Sequence, residues 1–327
     1  MVNGEGDWKT REIPLNFDLK GRYSEESRSF LIVGSYNGIL CITAGVGRHP
    51  MYLLNPITGE KMKLPKSNHR LPPKLNLAPS YGFGWDSLSN NYKVVRLHYE
   101  VDVNSSKIIK GFCEVITVGE DHWRRLDFPT ITDSYGSDSN PVLLDGTLYW
   151  LSDHPWCPPD QAHILAFDID SENFWTMDCC PPCRICCERD LVHRRSLIIM
   201  DGSLAIIDHQ SDYCCPRFMD IWLVNGSKTM GFSLSLTTYD MSGLLPYLRN
   251  QYGCGQFFVI AKVGHDKFLL HLRTEKQIYK GLQCSIFLYS PERKLYSAIH
   301  GSWSTEYVLE YCWMVPTLKS LKAMIDG

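Results

Sequence analysis

The chain has 327 residues, of which 44% are hydrophobic and 21% are charged, and these values are typical of a globular protein. Its formal net charge of −3 provides no basic field for a phosphate backbone, so nucleic acid is not expected as a partner. The longest apolar runs, such as SLIIM and FFVIA, are about five residues long, far short of the ~20 residues that a bilayer-spanning helix needs.

The N-terminus and the cysteines indicate the compartment. The first residues, MVNGEGDWKT, are polar and lack the apolar segment of a secretory signal. The 13 cysteines cannot all pair within the chain, because their number is odd. The sequence therefore predicts reduced thiols, a cytoplasmic or nuclear location and no association with a membrane.

The predicted strands fall into five units of about four strands each. Three units begin with a hairpin, because both central residues of a type I′ turn need positive φ and Asn-Gly or Asp-Gly supplies it. These turns are Asn37-Gly38, Asp145-Gly146 and Asp201-Gly202. In chain order the units are SFLIVGSYNGILCIT with MYLLNPITGEKMKLP, YGFGWDSLSNNYKVVRLHY with GFCEVITVGEDHWRRLDFP, SNPVLLDGTLYWL with HILAFDIDSENFWTM, RRSLIIMDGSLAIID with DIWLVNGSKTM, and FFVIAKVGHDKFLLHL with SIFLYSPERKLYSAI.

The spacing of the turns predicts the architecture. Gly146 lies 108 residues after Gly38 and 56 residues before Gly202, which is about 55 residues per unit. Four-stranded blades of ~40 to ~50 residues are the unit of β-propellers, with kelch repeats at the long end. We therefore expect an all-β, β-propeller-like (kelch-like) fold of about five to six four-stranded blades. Two packed β-sandwich domains are the alternative, but they do not require a regular four-strand unit.

The ends of the chain are less regular than the five units. Residues 1–29 and the segment YVLEYCWMVPTL are expected to share a sixth blade or to complete one blade together. The segments PTLKSLKAMI and MSGLLPYLRN have apolar spacing that is compatible with short helices.

Nine segments, taken together and in this order, resemble the F-box-associated domain of plant F-box proteins, including those grouped with kelch-repeat F-box proteins. The resemblance runs from about residue 29 to residue 300, and it implies three parts: an N-terminal segment (1–28), the propeller-like domain (29–300), and a closing strand and tail (301–327). The segments are GSYNGILCI, YLLNPITGEKMKLP, YGFGWDSLSNNYKVVRL, EVITVGEDHWRRL, LLDGTLYWL, ILAFDIDSENF, MDGSLAII, DIWLV and FLYSPERKLYSAI.

The resemblance implies a non-enzymatic module that binds a protein. In F-box proteins the propeller-like part holds the substrate of a ubiquitin ligase, and the F-box docks on the Skp adaptor of the cullin complex. Residues 1–28 contain neither the Leu-Pro opening nor the leucine-rich pattern of an F-box, so the adaptor and cullin are expected only with an F-box upstream. The alternative is a free-standing or decoy interaction protein without ligase recruitment.

Several residues have predicted structural roles. Asn55-Pro56 and Asp168 are expected to end strands and to cap nearby backbone amides. Gly82 and Gly84 are expected to permit a tight backbone around Phe83 and Trp85, which pack between blades. Four tryptophans are expected at comparable places in successive units: Trp123, Trp150, Trp175 and Trp222.

The segment CCPPCRICC, residues 179–187, contains five cysteines and raises the alternatives of a metal site or a redox site. Cys180, Cys183 and Cys186 have suitable spacing, and Cys214, Cys215, His193 and His209 are further possible ligands. However, the adjacent pair Cys214-Cys215 is unsuited to one tetrahedral zinc, and a redox dithiol needs a βαβ context. We expect a sulfur-rich loop without a metal or cofactor, and a propeller enzyme or a zinc-binding protein is the less favoured alternative.

No catalytic residue is predicted. A glycosidase would need two carboxylates across a cleft, whereas the acids Asp86, Asp145, Asp168, Asp201 and Asp220 fall mostly at turns or strand ends, where solvated capping is expected. No GxSxG, P-loop or HExxH motif is present. Loop residues that could contact a partner are His69, Arg70, Tyr135, His154, Trp156 and Tyr213, but the sequence does not assign them to one site.

Overall fold

A computed structural model of the protein describes eleven ranges of the chain, and the structural statements below concern these ranges. They contain twenty β-strands in five four-stranded sheets. The described ranges are 30–44, 50–67, 79–101, 108–129, 141–151, 163–177, 192–211, 218–227, 231–241, 255–274 and 282–305.

In each sheet the four strands lie in the order of the chain or its reverse, so that strands adjacent in sequence are adjacent in space. Sheet 1 contains β1 (Phe30–Tyr36), β2 (Ile39–Ala44), β3 (Met51–Leu54) and β4 (Lys61–Lys63). Sheet 2 contains β5 (Ser80–Asp86), β6 (Asn91–Val101), β7 (Ile108–Thr117) and β8 (Arg124–Leu126). Sheet 3 contains β9 (Val142–Leu144), β10 (Thr147–Leu151), β11 (Ile164–Asp168) and β12 (Asn173–Met177).

The remaining eight strands form two further sheets. Sheet 4 contains β13 (Val192–Met200), β14 (Ser203–Ser211), β15 (Phe218–Ser227) and β16 (Gly231–Asp240). Sheet 5 contains β17 (Gly255–Val263), β18 (Lys267–Thr274), β19 (Leu282–Ser290) and β20 (Leu295–Thr305). The five predicted four-strand units are therefore confirmed, because each forms one sheet.

The three predicted hairpin turns have the backbone that a type I′ turn requires. In sheet 1, Asn37 has φ 47° and Gly38 has φ 79°, and the flanking residues Tyr36 and Ile39 are register partners. The two other turns repeat this pattern, with φ 47° and 73° at residues 145–146 and φ 51° and 77° at residues 201–202. Positive φ at two successive residues matches the right-handed twist of the strands, so the local sequence fixes these registers.

The gaps between neighbouring sheets are filled by apolar side chains from both sides. Sheets 1 and 2 share one cluster, sheets 2 and 3 a second, and sheets 3 and 4 a third. Each buried side chain of this size contributes roughly 1.5–3 kcal/mol relative to an exposed one. Representative members of the three clusters are Leu53 with Phe83, Leu97 with Trp150, and Ile164 with Ile206.

Two strand glycines allow sheet 3 to approach β5 closely. Phe83 lies in the gap between sheets 1 and 2, as predicted, and the neighbouring Gly82 and Gly84 face sheet 3. A Cβ atom at Gly82 would lie 2.7 Å from Leu148 Cδ1, and one at Gly84 would lie 2.2 Å from Ile169 Cδ1. Both distances are shorter than real Cβ contacts, and at Gly82 the Trp150 ring would also lie only 2.9 Å from the Cβ atom, so Gly82 in particular permits the close approach of sheet 3.

The expected repetition of tryptophans is wrong. Trp123 precedes the fourth strand of its sheet, Trp150 lies in a second strand, Trp175 in a fourth and Trp222 in a third. Two of the four instead donate hydrogen bonds to backbone carbonyls of distant segments. For example, Trp150 Nε1 donates a hydrogen bond to the Tyr81 carbonyl at 3.3 Å. The repeat therefore lies in the strand order and the turns rather than in the aromatic positions.

The described residues divide into two compact units. The larger unit draws on residues 30–209 and 220–237 and includes all of sheets 1, 2 and 3. The smaller unit draws on residues 210–219 and 238–309 and includes all of sheet 5. Within the smaller unit, Tyr239 packs edge-on against Phe268, with ring centroids 5.0 Å apart.

Several expectations lie outside the described residues. These are the sixth blade, the helices in PTLKSLKAMI and, apart from its first residue, in MSGLLPYLRN, and the conformation of residues 1–28. Among the residues that the structure does describe, no helix has the length and apolar character needed to cross a membrane.

The two predicted caps are confirmed. Asn55 is fully buried, and its Oδ1 accepts hydrogen bonds from the Ile57 amide at 2.9 Å and the Thr58 amide at 3.2 Å. Asp168 Oδ1 accepts one from the Ser171 amide at 2.7 Å. Both side chains therefore hold the turn between the third and fourth strands of their sheets.

Substitution of Asn55 by alanine is expected to lower the free energy of unfolding by about 1–2 kcal/mol, because two turn amides lose their acceptor in a partly buried setting. Urea unfolding followed by circular dichroism measures the change. Asn55→Asp retains an acceptor oxygen and is the matched control. Its free energy of unfolding is expected to fall by less than that of Asn55→Ala. Equal losses in the two variants would contradict a role for the acceptor.

The expectation that acids at strand ends are solvated is wrong for two residues. Asp86 caps its turn, because its Oδ1 accepts a hydrogen bond from the Leu88 amide at 3.0 Å, but Asp86 is only 2% exposed. Asp220 is also 2% exposed and lies inside β15 rather than at a turn. Both carboxylates are therefore part of the interior of their sheets.

Candidate functional site

The connections of sheets 1, 2 and 3 emerge at two opposite ends of each sheet. Because neighbouring strands are antiparallel, the turns between first and second and between third and fourth strands share one end, here named the turn edge. The remaining connections leave from the opposite end, here named the loop edge. The turn edge consists of residues 37–38, 55–60, 87–90, 118–123, 145–146 and 169–172.

The six predicted partner-contacting residues are outside the described residues, so their grouping stays a prediction. In the sequence, His69 and Arg70 follow β4, Tyr135 follows β8, His154 and Trp156 follow β10, and Tyr213 follows β14.

A buried lysine links sheets 2 and 3 near the turn edge. Lys93 Nζ lies 2.8 Å from Asp86 Oδ2 and 2.8 Å from Glu172 Oε1, and it donates to the Ile169 carbonyl at 2.9 Å. Burial by itself would raise the pKa of Asp86, but hydrogen bonds from Lys93, Ser89 and the Leu88 amide lower it to about 2. The lysine ammonium thus has three oxygen partners, one from sheet 2 and two from the last turn of sheet 3.

A second set of bonds extends this link at the surface. Arg124 forms a two-pronged ion pair with Glu172, with Nη–Oε distances of 2.8 and 2.9 Å, and its Nε lies 3.3 Å from Glu120 Oε1. The hydrogen bond from Arg124 lowers the pKa of Glu172 below its ordinary value. The Ser87 amide donates to Asp170 Oδ1 at 2.8 Å, so two turns of different sheets are joined directly.

A third polar cluster lies on β6 and β7. Glu114 is fully buried; its Oε1 accepts a hydrogen bond from Ser67 Oγ at 2.7 Å, and its Oε2 lies 3.1 Å from His98 Nε2 and 3.5 Å from Arg96 Nη1. The Arg96 guanidinium packs over the Trp123 ring, 4.5 Å from its centroid. The charges of Arg96 and Glu114 would be unstable in an apolar interior without partners, and this cluster supplies those partners.

The histidine and glutamate of this cluster do not have the features of an acid–base pair. Burial lowers the pKa of His98, which is only 2% exposed. Burial alone would raise the pKa of Glu114, but hydrogen bonds from His98 and Ser67 lower it to about 2. A carboxylate held ionised by several donors is a weak base, so this geometry supports a structural role.

Stability is expected to fall as the pH is lowered from about 4.5 to about 2. The pKa of Glu114 is about 2 in the folded chain, below its ordinary value of 4.5, so the folded state favours the ionised form and loses this stabilisation on protonation. Urea unfolding at a series of pH values measures the effect. Glu114→Gln is expected to show a smaller dependence of stability on pH than the unaltered chain. An unchanged dependence would contradict the assignment of this acid sensitivity to Glu114.

Three aromatic rings meet beside the turn edge of sheets 1 and 2, and we name them the aromatic corner: Tyr36, Trp85 and Tyr92. Tyr36 and Trp85 are half-buried, whereas Tyr92 is fully buried. Burial raises the pKa of Tyr92 to about 12, so its phenol is neutral. The most exposed large apolar residue described, Leu88, lies in the adjacent turn and is 78% exposed.

Sequence reasoning missed these clusters, although a signal was present. The stretch NYKVVRLHY places Lys93, Arg96 and His98 among apolar residues without the alternation of a half-exposed strand. Residues 92–99 are all buried, so both faces of β6 are covered. A strand without alternation but with charged residues indicates buried charges, and such charges require partners from other segments.

The cysteine segment 179–187 lies outside the described residues, as do Cys214 and Cys215. The expectation of a metal-free loop therefore stays a prediction. Within the described ranges, no group of three His, Cys, Asp or Glu side chains is placed to hold a metal ion. Cys41 and Cys113 are free thiols there, and burial raises the pKa of both.

Comparison with known proteins gives a family model and several plant relatives. A family model described as "F-box associated beta propeller domain" matches residues 10–320. An F-box/LRR-repeat protein of Arabidopsis thaliana is 27% identical over 191 residues, covering 56% of this chain and 43% of the relative. An F-box protein of the same plant is 26% identical over 253 residues, covering 74% of this chain and 65% of the relative.

A third relative is also matched over only part of its length. It is another F-box protein of Arabidopsis thaliana, 26% identical over 192 residues, covering 56% of this chain and 39% of the relative. The chain thus matches less than half of the length of two of these three relatives.

Proposed function

Because the chain belongs to the family of F-box associated beta propeller domains, we propose that it binds a protein substrate as the recognition part of a ubiquitin ligase receptor. The observation that carries the proposal is the family match over residues 10–320, together with relatives that are F-box proteins. Family membership confirms the predicted β-propeller and the predicted resemblance, and identifies the four-stranded sheets as blades.

The fold of the larger unit suits a recognition module. The clusters between its sheets and the buried Lys93 link make a rigid scaffold, and short turns lie at one edge of it. Loops on a rigid scaffold are the usual location of recognition residues. The proposal is that the chain acts by binding, without catalysis, in the cytoplasm or nucleus.

The ligase role requires recruitment of the Skp adaptor and the cullin. In this proposal an F-box supplies that contact, and residues 1–28 do not contain its sequence pattern. The second candidate is a decoy or free-standing interaction protein, which captures the same partners without the adaptor.

Two tagged proteins distinguish these roles. One is the chain itself, and the other is the chain fused behind the F-box of an Arabidopsis relative; the propeller domain of that relative is the control for specificity. We expect both test proteins to recover a shared partner that the control does not recover, and only the fusion to recover the Skp adaptor and to increase ubiquitination of the partner.

Three outcomes would contradict the proposal. Recovery of the adaptor by the chain alone would show that it contains a docking segment. Absence of any partner specific to this chain would contradict substrate binding. Recovery of a partner whose ubiquitination does not increase with the fusion would favour the decoy role.

A further inference from the structure

The four residues after β4, here named the exit segment (64–67), pass from sheet 1 to sheet 2. At the start of the segment, the Leu64 amide donates a hydrogen bond to the Met51 carbonyl of β3 at 2.9 Å. The Leu64 side chain is 4% exposed and belongs to the apolar cluster that sheets 1 and 2 share. The segment therefore leaves sheet 1 from a fixed position.

Two side chains of sheet 2 and its last turn bind the rest of the exit segment. Trp123 Nε1 donates a hydrogen bond to the Pro65 carbonyl at 2.8 Å. Glu114 Oε1 accepts one from Ser67 Oγ at 2.7 Å. The residue between these two contacts, Lys66, is exposed. The segment thus exchanges partners in sheet 1 for partners in sheet 2 within four residues.

Both of these partners are held by contacts that do not involve the exit segment. Arg96 joins them, because its guanidinium lies 4.5 Å from the Trp123 ring centroid and its Nη1 lies 3.5 Å from Glu114 Oε2. His98 Nε2 lies 3.1 Å from the same oxygen, and the His98 ring stacks on Phe112 at 4.5 Å. Glu114 is fully buried, so it presents Oε1 to the segment from a fixed position.

The hydroxyl of Ser67 is the removable part of this arrangement. Burial would raise the pKa of Glu114, but hydrogen bonds from His98 and Ser67 lower it to about 2, so the carboxylate is ionised near neutral pH. A hydrogen bond to an ionised acceptor is stronger than one between neutral groups. Arg96 and His98 remain beside Glu114 when the hydroxyl is removed, and Ser67 is only half-buried. Its removal is therefore expected to free the end of the segment while the sheets stay folded.

The exit segment leads to two of the predicted partner-contacting residues. His69 and Arg70 follow Ser67 in the sequence and lie outside the described residues. Fixing the start of a connection in advance lowers the cost of ordering it when a partner binds. We propose that Glu114 is a positioning residue: through Ser67 it holds the exit segment on sheet 2 and fixes the point from which the chain continues to His69 and Arg70. The holding of the segment is independent of the proposed function, whereas its effect on a partner rests on that function.

Limited digestion with trypsin measures the opening of the exit segment. Trypsin binds several residues around the bond that it cuts, so the bond after Lys66 becomes available when the segment separates from sheet 2. The test variants are Ser67→Ala, which lacks the hydroxyl, and Ser67→Thr, which retains it. Rates are divided by those of short peptides with the same sequences, and mass spectrometry identifies the cut.

We expect the bond after Lys66 to be cut about tenfold faster in Ser67→Ala than in the unaltered chain, and within about threefold of the unaltered rate in Ser67→Thr. Equal rates in Ser67→Ala and in the unaltered chain would overturn the proposal. A rise in Ser67→Thr as large as that in Ser67→Ala would also overturn it, because the hydroxyl would then not be the cause.

Two controls separate local opening from a general loss of stability. Ser87 Oγ also bonds a carboxylate of a neighbouring sheet, that of Asp170, so Ser87→Ala is the matched variant. We expect Ser87→Ala to leave the cut after Lys66 within about threefold of the unaltered rate. The cut after Lys93, inside β6, reports opening of sheet 2 itself and is expected to stay unchanged in Ser67→Ala. A rise of about tenfold at both lysines, or an equal rise at Lys66 in Ser87→Ala, would contradict a local role.

A Glu114→Gln background assigns the effect to the carboxylate. Glutamine has nearly the same shape but lacks the charge that strengthens the bond from Ser67. Adding Ser67→Ala to Glu114→Gln is expected to raise the rate of cutting after Lys66 by less than about threefold, because the stronger bond is already lost. A further rise of about tenfold would show that Ser67 acts independently of Glu114.

The effect on recognition is measured with the tagged chain and the specific partner that the unaltered chain recovers. We expect Ser67→Ala to recover at most about a third of the partner that the unaltered chain recovers, and Ser67→Thr to recover a similar amount to the unaltered chain. Equal recovery by all three would overturn the effect on recognition. If the unaltered chain recovers no specific partner, the proposed function fails, whereas the digestion still decides whether Glu114 holds the segment. The two failures are therefore distinguishable.

Discussion

Replacing Gly82 with valine is expected to lower the free energy of unfolding by about 3 kcal/mol, at the upper end of the cost of overpacking. A Cβ atom there would lie 2.7 Å from Leu148 Cδ1 and 2.9 Å from Trp150 Cζ2, and the indole of Trp150 is only 1% exposed. The rigid ring has no space to withdraw, so sheet 3 must move away from β5. Strand propensity alone predicts the opposite sign, because valine favours strands and glycine weakens them.

Gly34→Ala and Gly82→Ala form a matched pair for this prediction. A Cβ atom at Gly34 would meet no atom closer than 3.4 Å, the Phe83 Cβ, which is an ordinary contact. We expect Gly34→Ala to change stability by less than about 0.5 kcal/mol and Gly82→Ala to cost about 1–3 kcal/mol. Urea unfolding measures both. Similar effects at the two positions would show that the close approach of sheet 3 is not the cause.

Replacing Lys93 with methionine is expected to cost about 3–5 kcal/mol, because it removes the ammonium from the buried Asp86 carboxylate and from the partly exposed Glu172. Asp86 loses the partner at 2.8 Å that holds its pKa low, and Glu172 retains only Arg124 and its surroundings. Methionine matches the length of the lysine stem, so the loss reports the charge rather than the volume. The variant is also expected to lose part of its acid sensitivity, because Asp86 becomes easier to protonate in the folded state.

Lys294→Met is the matched control for the buried lysine. Lys294 Nζ lies 3.1 Å from Asp240 Oδ2, but the two side chains are 55% and 43% exposed. An exposed pair contributes about 0–1 kcal/mol, so this variant should unfold at nearly the same urea concentration as the unaltered chain. A loss for Lys93→Met no larger than that of Lys294→Met would contradict the role of the buried ion network.

The turns and the strand order could be predicted from the sequence because their determinants are local. Asn37-Gly38 and its two equivalents need positive φ at successive residues, and few other dipeptides supply it. Asn55 caps amides two and three residues along the chain, and that distance can be read from the sequence. Each of these features is specified within a few residues.

Features that depend on two sheets could not be predicted in the same way. Lys93 meets Glu172 and the Ile169 carbonyl from a distant part of the chain, and no local pattern pairs them. The aromatic corner likewise forms because β1 and β5 end side by side. The sequence indicated that Gly82 and Gly84 permit close packing, but only the tertiary fold shows that sheet 3 packs against them.

The central claim is that neighbouring sheets complete one another's cores. Phe128, which follows the last strand of sheet 2, packs edge-on against Phe174 of sheet 3, with ring centroids 5.3 Å apart. A double-mutant cycle with Phe128→Leu and Phe174→Leu, measured by urea unfolding, tests this contact between sheets. The account predicts a coupling energy of about 0.5–1.5 kcal/mol. Additive losses, with a coupling energy within error of zero, would contradict it.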